Sequence, residues 1–221
     1  MDQDRPSHDH GVVDFDSRAA TWDDPVKIDR ARHVADAIIA ATSPDGHTRL
    51  LEYGAGTGLV TEALGEAVGP VLLADQSEGM REVMATKVLD GRLRDATISD
   101  LDLADTDAVL PDERFDLIVT VLAMHHIGPI EMVLNRFSTL LASGGHLCVV
   151  DLDEEDGSFH GDGFGGHHGF DRTAFTSLLR GAGFTRVDVS DCGHVERDDG
   201  NYSMFLAVAT TGDDDTQGAN P

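Results

Sequence analysis

Along the chain, short apolar runs alternate with longer segments whose apolar residues recur at helical spacing. Phe115-Asp116-Leu117-Ile118-Val119-Thr120 is apolar almost throughout, as a strand covered on both faces must be. Arg49–Tyr53, Val71–Asp75 and His146–Asp151 repeat that pattern, and Ala96–Ser99 reads as a weaker strand. Between them lie helical periodicities. The first runs from Pro25 to about Ala41, with Val26, Ile28, Val34, Ala35, Ile38 and Ile39 as its apolar set, Asp24 as N-cap and Pro25 as first helical residue. Further helices are predicted from Leu59 to about Val68, Ser77 to about Leu89, Pro129 to Leu141, and Arg172 to Ala182. The last is capped by Asp171 and stopped by Gly183. The turn Ala142-Ser143-Gly144-Gly145 feeds the strand at His146, and Arg186–Ser190 with Tyr202–Thr210 close the sheet as a hairpin-like pair. Strands alternating with helices predict an α/β, doubly wound, seven-stranded, mostly parallel sheet with an antiparallel last strand.

The polar ends set the expected domain limits. Residues 1–17 read as a flexible acidic tail, 18–211 as one domain, and 212–221 as a second acidic tail with nothing to bury. At 221 residues the chain is long enough for one two-sided core and short for two independent ones.

Charge changes the picture more than size does. There are 41 acidic residues against 16 basic ones, a formal net charge of −25, and Lys27 and Lys87 are the only lysines. Salt screens the self-repulsion of so acidic a chain, which points to a halophilic, salt-rich cytoplasm. A polyanion is also a poor partner for a phosphate backbone, so no nucleic-acid partner is expected. No apolar stretch approaches the roughly 18–20 residues needed to span a bilayer, which argues against membrane insertion. Met1–Asp16 has neither a basic n-region nor an apolar h-region, and a cytoplasmic location is expected. Cys148 and Cys192 fit no metal spacing. Cys148 lies in the apolar run from His146 to Val150, where cysteine behaves as a small hydrophobe.

Candidate chemistry begins at Glu52-Tyr53-Gly54-Ala55-Gly56-Thr57-Gly58, a turn from a buried strand into a helix. Backbone N–H groups at such a helix start, with glycines permitting close approach, suit a nucleotide-like ligand. The spacing is Gly54-x-Gly56-x-Gly58, and the position where a dinucleotide fingerprint has its third glycine is Leu59, which weakens the reading as an NAD(P)-dependent oxidoreductase. Asp75 ends the second strand, where a carboxylate can accept two hydrogen bonds from a ribose diol. Its alternative is an N-cap for the next helix.

Together, Glu52-x-Gly54-x-Gly56-x-Gly58 and the Asp75-x-Ser77-x-x-Met80 segment resemble class I S-adenosylmethionine-dependent methyltransferases, and the resemblance extends from about Phe15 to Ala209. It implies a Rossmann-like domain with S-adenosyl-L-methionine as cofactor, held by Glu52, Gly54, Ala55, Gly56 and Gly58. Asp75 would take the ribose, with Gln76 and Met80 around the adenine. Phe15-Asp16-x-x-Ala19-x-x-Trp22-Asp23 is similar to the segment that caps the cofactor in the small-molecule, ubiquinone-biosynthesis-like group, which adds Trp22. Asp100, with Asp102 as the alternative, stands where the family's adenine-amino acceptor lies. Leu122-Ala123-Met124-His125-His126-Ile127 matches its apolar–His–His segment, adding Leu122, and Ser143-Gly144-Gly145 matches its turn before the fifth strand.

Methyl transfer needs alignment of acceptor and methyl and, for some acceptors, removal of a proton. Histidines at the carboxyl ends of the strands are the candidate bases. His125 and His126 follow the fourth strand. Asp151–His160 and Gly166–Phe170 form a long stretch without evident secondary structure, and loops of that length are usually functional or disordered. This stretch resembles the EDGSFH…HHGF segment of a subset of these methyltransferases. His125, His160 and His168 are the catalytic candidates, with His126 and His167 beside them. A metal held by these histidines with Asp153 or Glu154 lacks any zinc-type spacing, so no metal is expected. The chain lacks an Asn/Asp-Pro-Pro-aromatic tetrad, a strand-end nucleophilic cysteine and a paired-glutamate loop. The expected acceptor is therefore a small molecule, with a non-catalytic S-adenosylmethionine-binding protein as the further alternative.

Overall fold

The computed structural model describes residues 15–161, 163–197 and 200–212. Its sheet runs β1 (Leu50–Tyr53), β2 (Val71–Ala74), β3 (Ala96–Ser99), β4 (Phe115–Val121), β5 (Leu141–Leu152), β6 (Phe184–Arg197) and β7 (Gly200–Thr211). The spatial order is β3-β2-β1-β4-β5-β7-β6. The first five strands pair in parallel, and β7 is antiparallel to both β5 and β6. The expected hairpin forms, and both its strands are longer than their apolar patterns suggest.

Helices α1 (Phe15–Arg18), α2 (Pro25–Thr42), α3 (Leu59–Leu64), α4 (Glu78–Leu89), α5 (Ile130–Leu140) and α6 (Arg172–Gly181) cover the sheet. Adjacent residues of each central strand face opposite cores. Leu50, Leu117, Val119, Cys148 and Val150 pack with Val34 and Ile38 of α2 and Val60 of α3. Leu51, Ile118, Leu147 and Val149 pack with Val133 and Phe137 of α5 and Phe175 of α6. This two-sided burial is why the central strands read as continuous apolar runs.

The caps predicted at Asp24 and Asp171 form, accepting from Lys27 N and Ala174 N. The cap of α4 is Ser77, which accepts from Met80 N, and not Asp75. Three boundaries differ from expectation. The helix expected to reach Val68 leaves α geometry at Gly65 and ends in a 3-10 turn over Gly65–Ala67. The turn expected at Ala142–Gly145 bulges out of β5, because the register jumps from Phe115 opposite Leu141 to Leu117 opposite His146. The tail expected up to residue 17 is helical from Phe15, because Asp16 anchors it. Its carboxylate accepts from Ser77 Oγ and from Gly79 N at the start of α4. Residues 1–14 and 213–221 lie outside the described residues. Among the described residues no helix is long and apolar enough to cross a membrane.

From β1 the chain winds outward through β2 to β3, then returns to β4 on the other side of β1. The carboxyl ends of β1 and β4 therefore flank a topological switch point, where open α/β sheets bind ligands.

Candidate active site

Two loops meet at that switch point. After β1, Gly54 N and Ala55 N both donate to Ala74 O, drawing the turn back over β2. Gly54 has φ +69°, and a Cβ there would stand 2.5 Å from Ala123 Cβ in the loop after β4. Only a glycine lets the two loops press together so closely. That second loop carries its own backbone constraint, since Leu122 has φ +52° and donates its N–H to Val150 O at 2.8 Å.

Asp75 ties the glycine turn to the start of α4. Its Oδ2 accepts from Gly56 N at 2.7 Å and its Oδ1 from Ser77 N at 2.9 Å. Burial pushes its carboxyl above the ordinary aspartate value, opposed by those two N–H bonds and by Arg81. The loops enclose a cleft of about 510 Å³. Gly54–Thr57, Asp75, Gln76 and Met80 line one end, and Leu122, Ala123, His126 and Ile127 the other. Phe15 and Trp22 cover it. Phe15 lies 5.8 Å edge-on from the Trp22 ring and 5.4 Å edge-on from His126.

Beneath the turn, Thr57 Oγ1 donates to Asp23, and the buried Lys87 ammonium sits 2.7 Å from Asp23 and 3.1 Å from Glu62. Glu52, also buried, accepts from Thr61 N and Thr61 Oγ1 at the start of α3. Burial pushes its carboxyl up to about 7, against the two Thr61 bonds and the nearby Lys87. The folded protein thus holds this proton to higher pH than the unfolded chain, whose reference value is 4.5. Stability from this group is full at low pH and falls as pH rises from about 4.5 to about 7. The isosteric Glu52→Gln variant has no such proton to lose. Its stability relative to the parent protein is expected to be about 3 kcal/mol greater at pH 8 than at pH 4. Denaturant melts of both proteins at the two pH values measure this, and a parallel pH dependence would refute it.

The histidines divide. His125 is buried, with Nδ1 2.6 Å from Asp151 Oδ1 and its backbone N–H 3.2 Å from Asp151 Oδ2. It is absent from the cleft wall. His126 lines the cleft, and burial with His125 and His160 alongside lowers it to about 3, so the ring is neutral. His160 comes from the long loop and stacks on Phe164 at 3.8 Å. Burial is the first cause that brings it down to about 4.

That loop is strapped down. Its ends bridge at Asp153 and Phe170, and Arg172 grips Asp153 with two bonds of 2.7 and 2.8 Å. His167 donates its backbone N–H to His125 O at 2.7 Å, and its Nε2 lies 3.0 Å from Ile127 O.

Among the candidates drawn from the sequence, Trp22, Glu52, Gly54, Ala55, Gly56, Asp75, Gln76, Met80 and Leu122 all line the cleft. Five do not line it: His125 and His160, placed above, and three more. Gly58 (φ +77°) caps α3, and a Cβ there would meet Leu93 Cδ1 at 3.0 Å, so its role is packing. Asp100 is exposed and its neighbour Leu101 faces the cleft. The alternative, Asp102, bonds Tyr53 Oη and Ala104 N. His168 is exposed and pairs with Glu155 at 3.2 Å on the outer side of the loop.

Sequence reasoning missed Lys27 and Arg30, which also line the cleft. Lys27 pairs with Asp24 and lies 4.9 Å from the Trp22 ring centre, while Arg30 has no ion-pair partner among the described residues. Nothing in the sequence sets Arg30 apart from Lys27 and Arg32 on the same helix. A three-histidine cluster was missed too. One ring nitrogen from each of His125, His126 and His160 lies within 4.8 Å of the others.

A family model described as "Methyltransferase domain" matches residues 26–189. The chain is 34% identical over 130 residues to the biotin biosynthesis bifunctional protein BioCD of Bordetella avium, covering 56% of this chain and 26% of that protein. It is 25% identical over 162 residues to the ubiquinone biosynthesis O-methyltransferase of Alkalilimnicola ehrlichii, covering 70% and 64% respectively. The matches thus span less than two thirds of either relative. In fold, the chain is similar to a chain in the complex between the Haloferax volcanii Trm112 methyltransferase activator and a methyltransferase. The TM-score is 0.72 at 18% identity, over 91% of this chain and 99% of that one.

Proposed function

As this chain belongs to the methyltransferase-domain family, we propose that it transfers a methyl group from S-adenosylmethionine to a small-molecule acceptor. The observation that carries this reading is the single cleft joining the glycine turn to the His126 end. A volume near 510 Å³ falls within the range of small-molecule sites. Its wall fits the cofactor's parts, with the Asp75 carboxylate for a ribose diol, the unpaired Arg30 cation for an amino-acid carboxylate, and apolar Leu122 and Ala123 beside the sulfonium. Leu59, on the same wall, stands where a dinucleotide turn needs glycine.

When bound, the cofactor supplies an electrophilic methyl carbon. The chain's own residues do the rest by positioning. Phe15 and Trp22 cover the cleft against water, and Ala123 and Ile127 leave apolar room for a compact acceptor. The neutral His126 ring presents a nitrogen at the acceptor end. The protein works in a salt-rich cytoplasm, where counter-ions screen its net charge.

Melting of the full chain with S-adenosylhomocysteine or NADH, in a series of rising KCl concentrations, tests the reading. A hundredfold excess of S-adenosylhomocysteine over its Kd is expected to raise the melting temperature by about 5–10 °C, with NADH inert. Melting should also climb with KCl. Labelled methyl groups should then pass into the small-molecule fraction of a cell extract. A shift with NADH alone, or label confined to protein and nucleic acid, would overturn it.

A further inference from the structure

His125, His126 and His160 converge from two different loops, 34 residues apart in the chain at their nearest (126 to 160), onto one small volume beside the cleft. Their ring centres lie 4.2, 5.0 and 5.2 Å apart. Each ring is held by something other than its two neighbours. His125 is oriented by Asp151, which occupies Nδ1 and leaves Nε2 as the ring's other ligating nitrogen. His160 is stacked on Phe164, and His126 abuts Phe15. His160 Nδ1 is buried and has no hydrogen-bond partner among the described residues, which is unfavourable unless something else satisfies the atom.

We propose that His125, His126 and His160 form a three-imidazole site for a divalent transition metal of the zinc class, with its remaining coordination position opening onto the cleft past His126. Three features support it. A carboxylate fixing one nitrogen of a histidine so that the other can ligate is the usual outer shell of a metal-bound imidazole, and Asp151 stands in that place. Three nitrogens within 4.8 Å of one another reach metal–nitrogen bonds near 2.0–2.1 Å once each moves inward by about 1 Å, which side-chain torsion supplies. An all-imidazole set selects zinc, cobalt, nickel or copper over the oxygen-seeking magnesium and calcium, and three protein ligands leave a place for water or an acceptor oxygen. The site stands on this geometry alone and does not depend on the identity of the methyl donor.

The test is a Co²⁺ titration of the full-length, chelator-stripped protein in molar KCl with excess Mg²⁺, which occupies the acidic surface. One equivalent of Co²⁺ is expected to bind with the intense visible bands of a low-coordinate nitrogen site. His160→Asn should remove those bands and weaken binding more than about tenfold. His47→Asn, and the double change His8→Asn with His10→Asn, should leave both untouched. Because His160 does not line the cleft, the affinity of the His160→Asn protein for S-adenosylhomocysteine reports that it is folded. If that variant does not fold, His126→Asn replaces it, with a cooperative thermal melt as the sign of folding because His126 lines the cleft. Binding without the bands, or bands that persist in these variants, would overturn the site and reduce the cluster to aromatic packing.

Discussion

Asp75→Ala is expected to weaken binding of S-adenosylhomocysteine at least about a hundredfold, with the fold retained. The carboxylate has two tasks. It pins the glycine turn through Gly56 N and the start of α4 through Ser77 N, and in the proposed complex it accepts from the ribose. Hydrogen bonds to charged groups contribute about 1.5–3 kcal/mol each, and 1.4 kcal/mol is a factor of ten in affinity, so losing two reaches a hundredfold. Asp75→Asn keeps one acceptor oxygen and should fall between the two proteins. Asp100→Ala provides the contrast, because that side chain is exposed outside the cleft. Calorimetric titration of the three variants decides the matter, and equal affinities for Asp75→Ala and Asp100→Ala would leave Asp75 only its structural bonds to Gly56 N and Ser77 N.

The second large effect concerns stability. Asp151 is fully buried and accepts from His125 N and Leu152 N at 3.2 and 2.8 Å, besides its 2.6 Å contact with His125 Nδ1. Asp151→Ala leaves those three groups unsatisfied inside the core. Leaving a buried donor without its acceptor costs about 1–3 kcal/mol, so the three together imply a loss of at least about 3 kcal/mol and roughly a 10 °C fall in melting temperature for a domain of this size. Asp151→Asn retains an acceptor and should recover part of the loss. Urea denaturation in molar KCl measures both, and a cost below about 1 kcal/mol for the alanine variant would mean that solvent reaches the pair.

What the sequence made legible was whatever one segment determines by itself. β4 was readable because both its faces are buried, and the caps at Asp24 and Asp171 because capping joins residues only three apart in the chain. The glycine turn and Asp75 were readable because strand, turn and helix start adjoin in the chain. What escaped depends on distant partners. Composition placed Phe15 and Asp16 in a tail, since the contacts that order this turn run from Asp16 to Ser77 and Gly79. That Leu101 lines the cleft, and neither Asp100 nor Asp102, depends on which way the chain leaves β3. His125, His126 and His160 show no ligand spacing because the third ring arrives on another loop. Arg30 is one cation among ordinary helix residues until the cleft is seen to lie against it.

The position of β7 has a consequence for how the molecule is made. The strand lies between β5 and β6 although it follows both in the chain. As synthesis proceeds, β6 therefore has no place in the sheet until β7 has emerged, and the edge of β5 stays open until then. The five parallel strands and both walls of the cleft are complete before that moment. Ligand binding can thus precede closure of the sheet, while β5, with its unpaired backbone and apolar Leu147–Val150, is the surface a chaperone would have to shield.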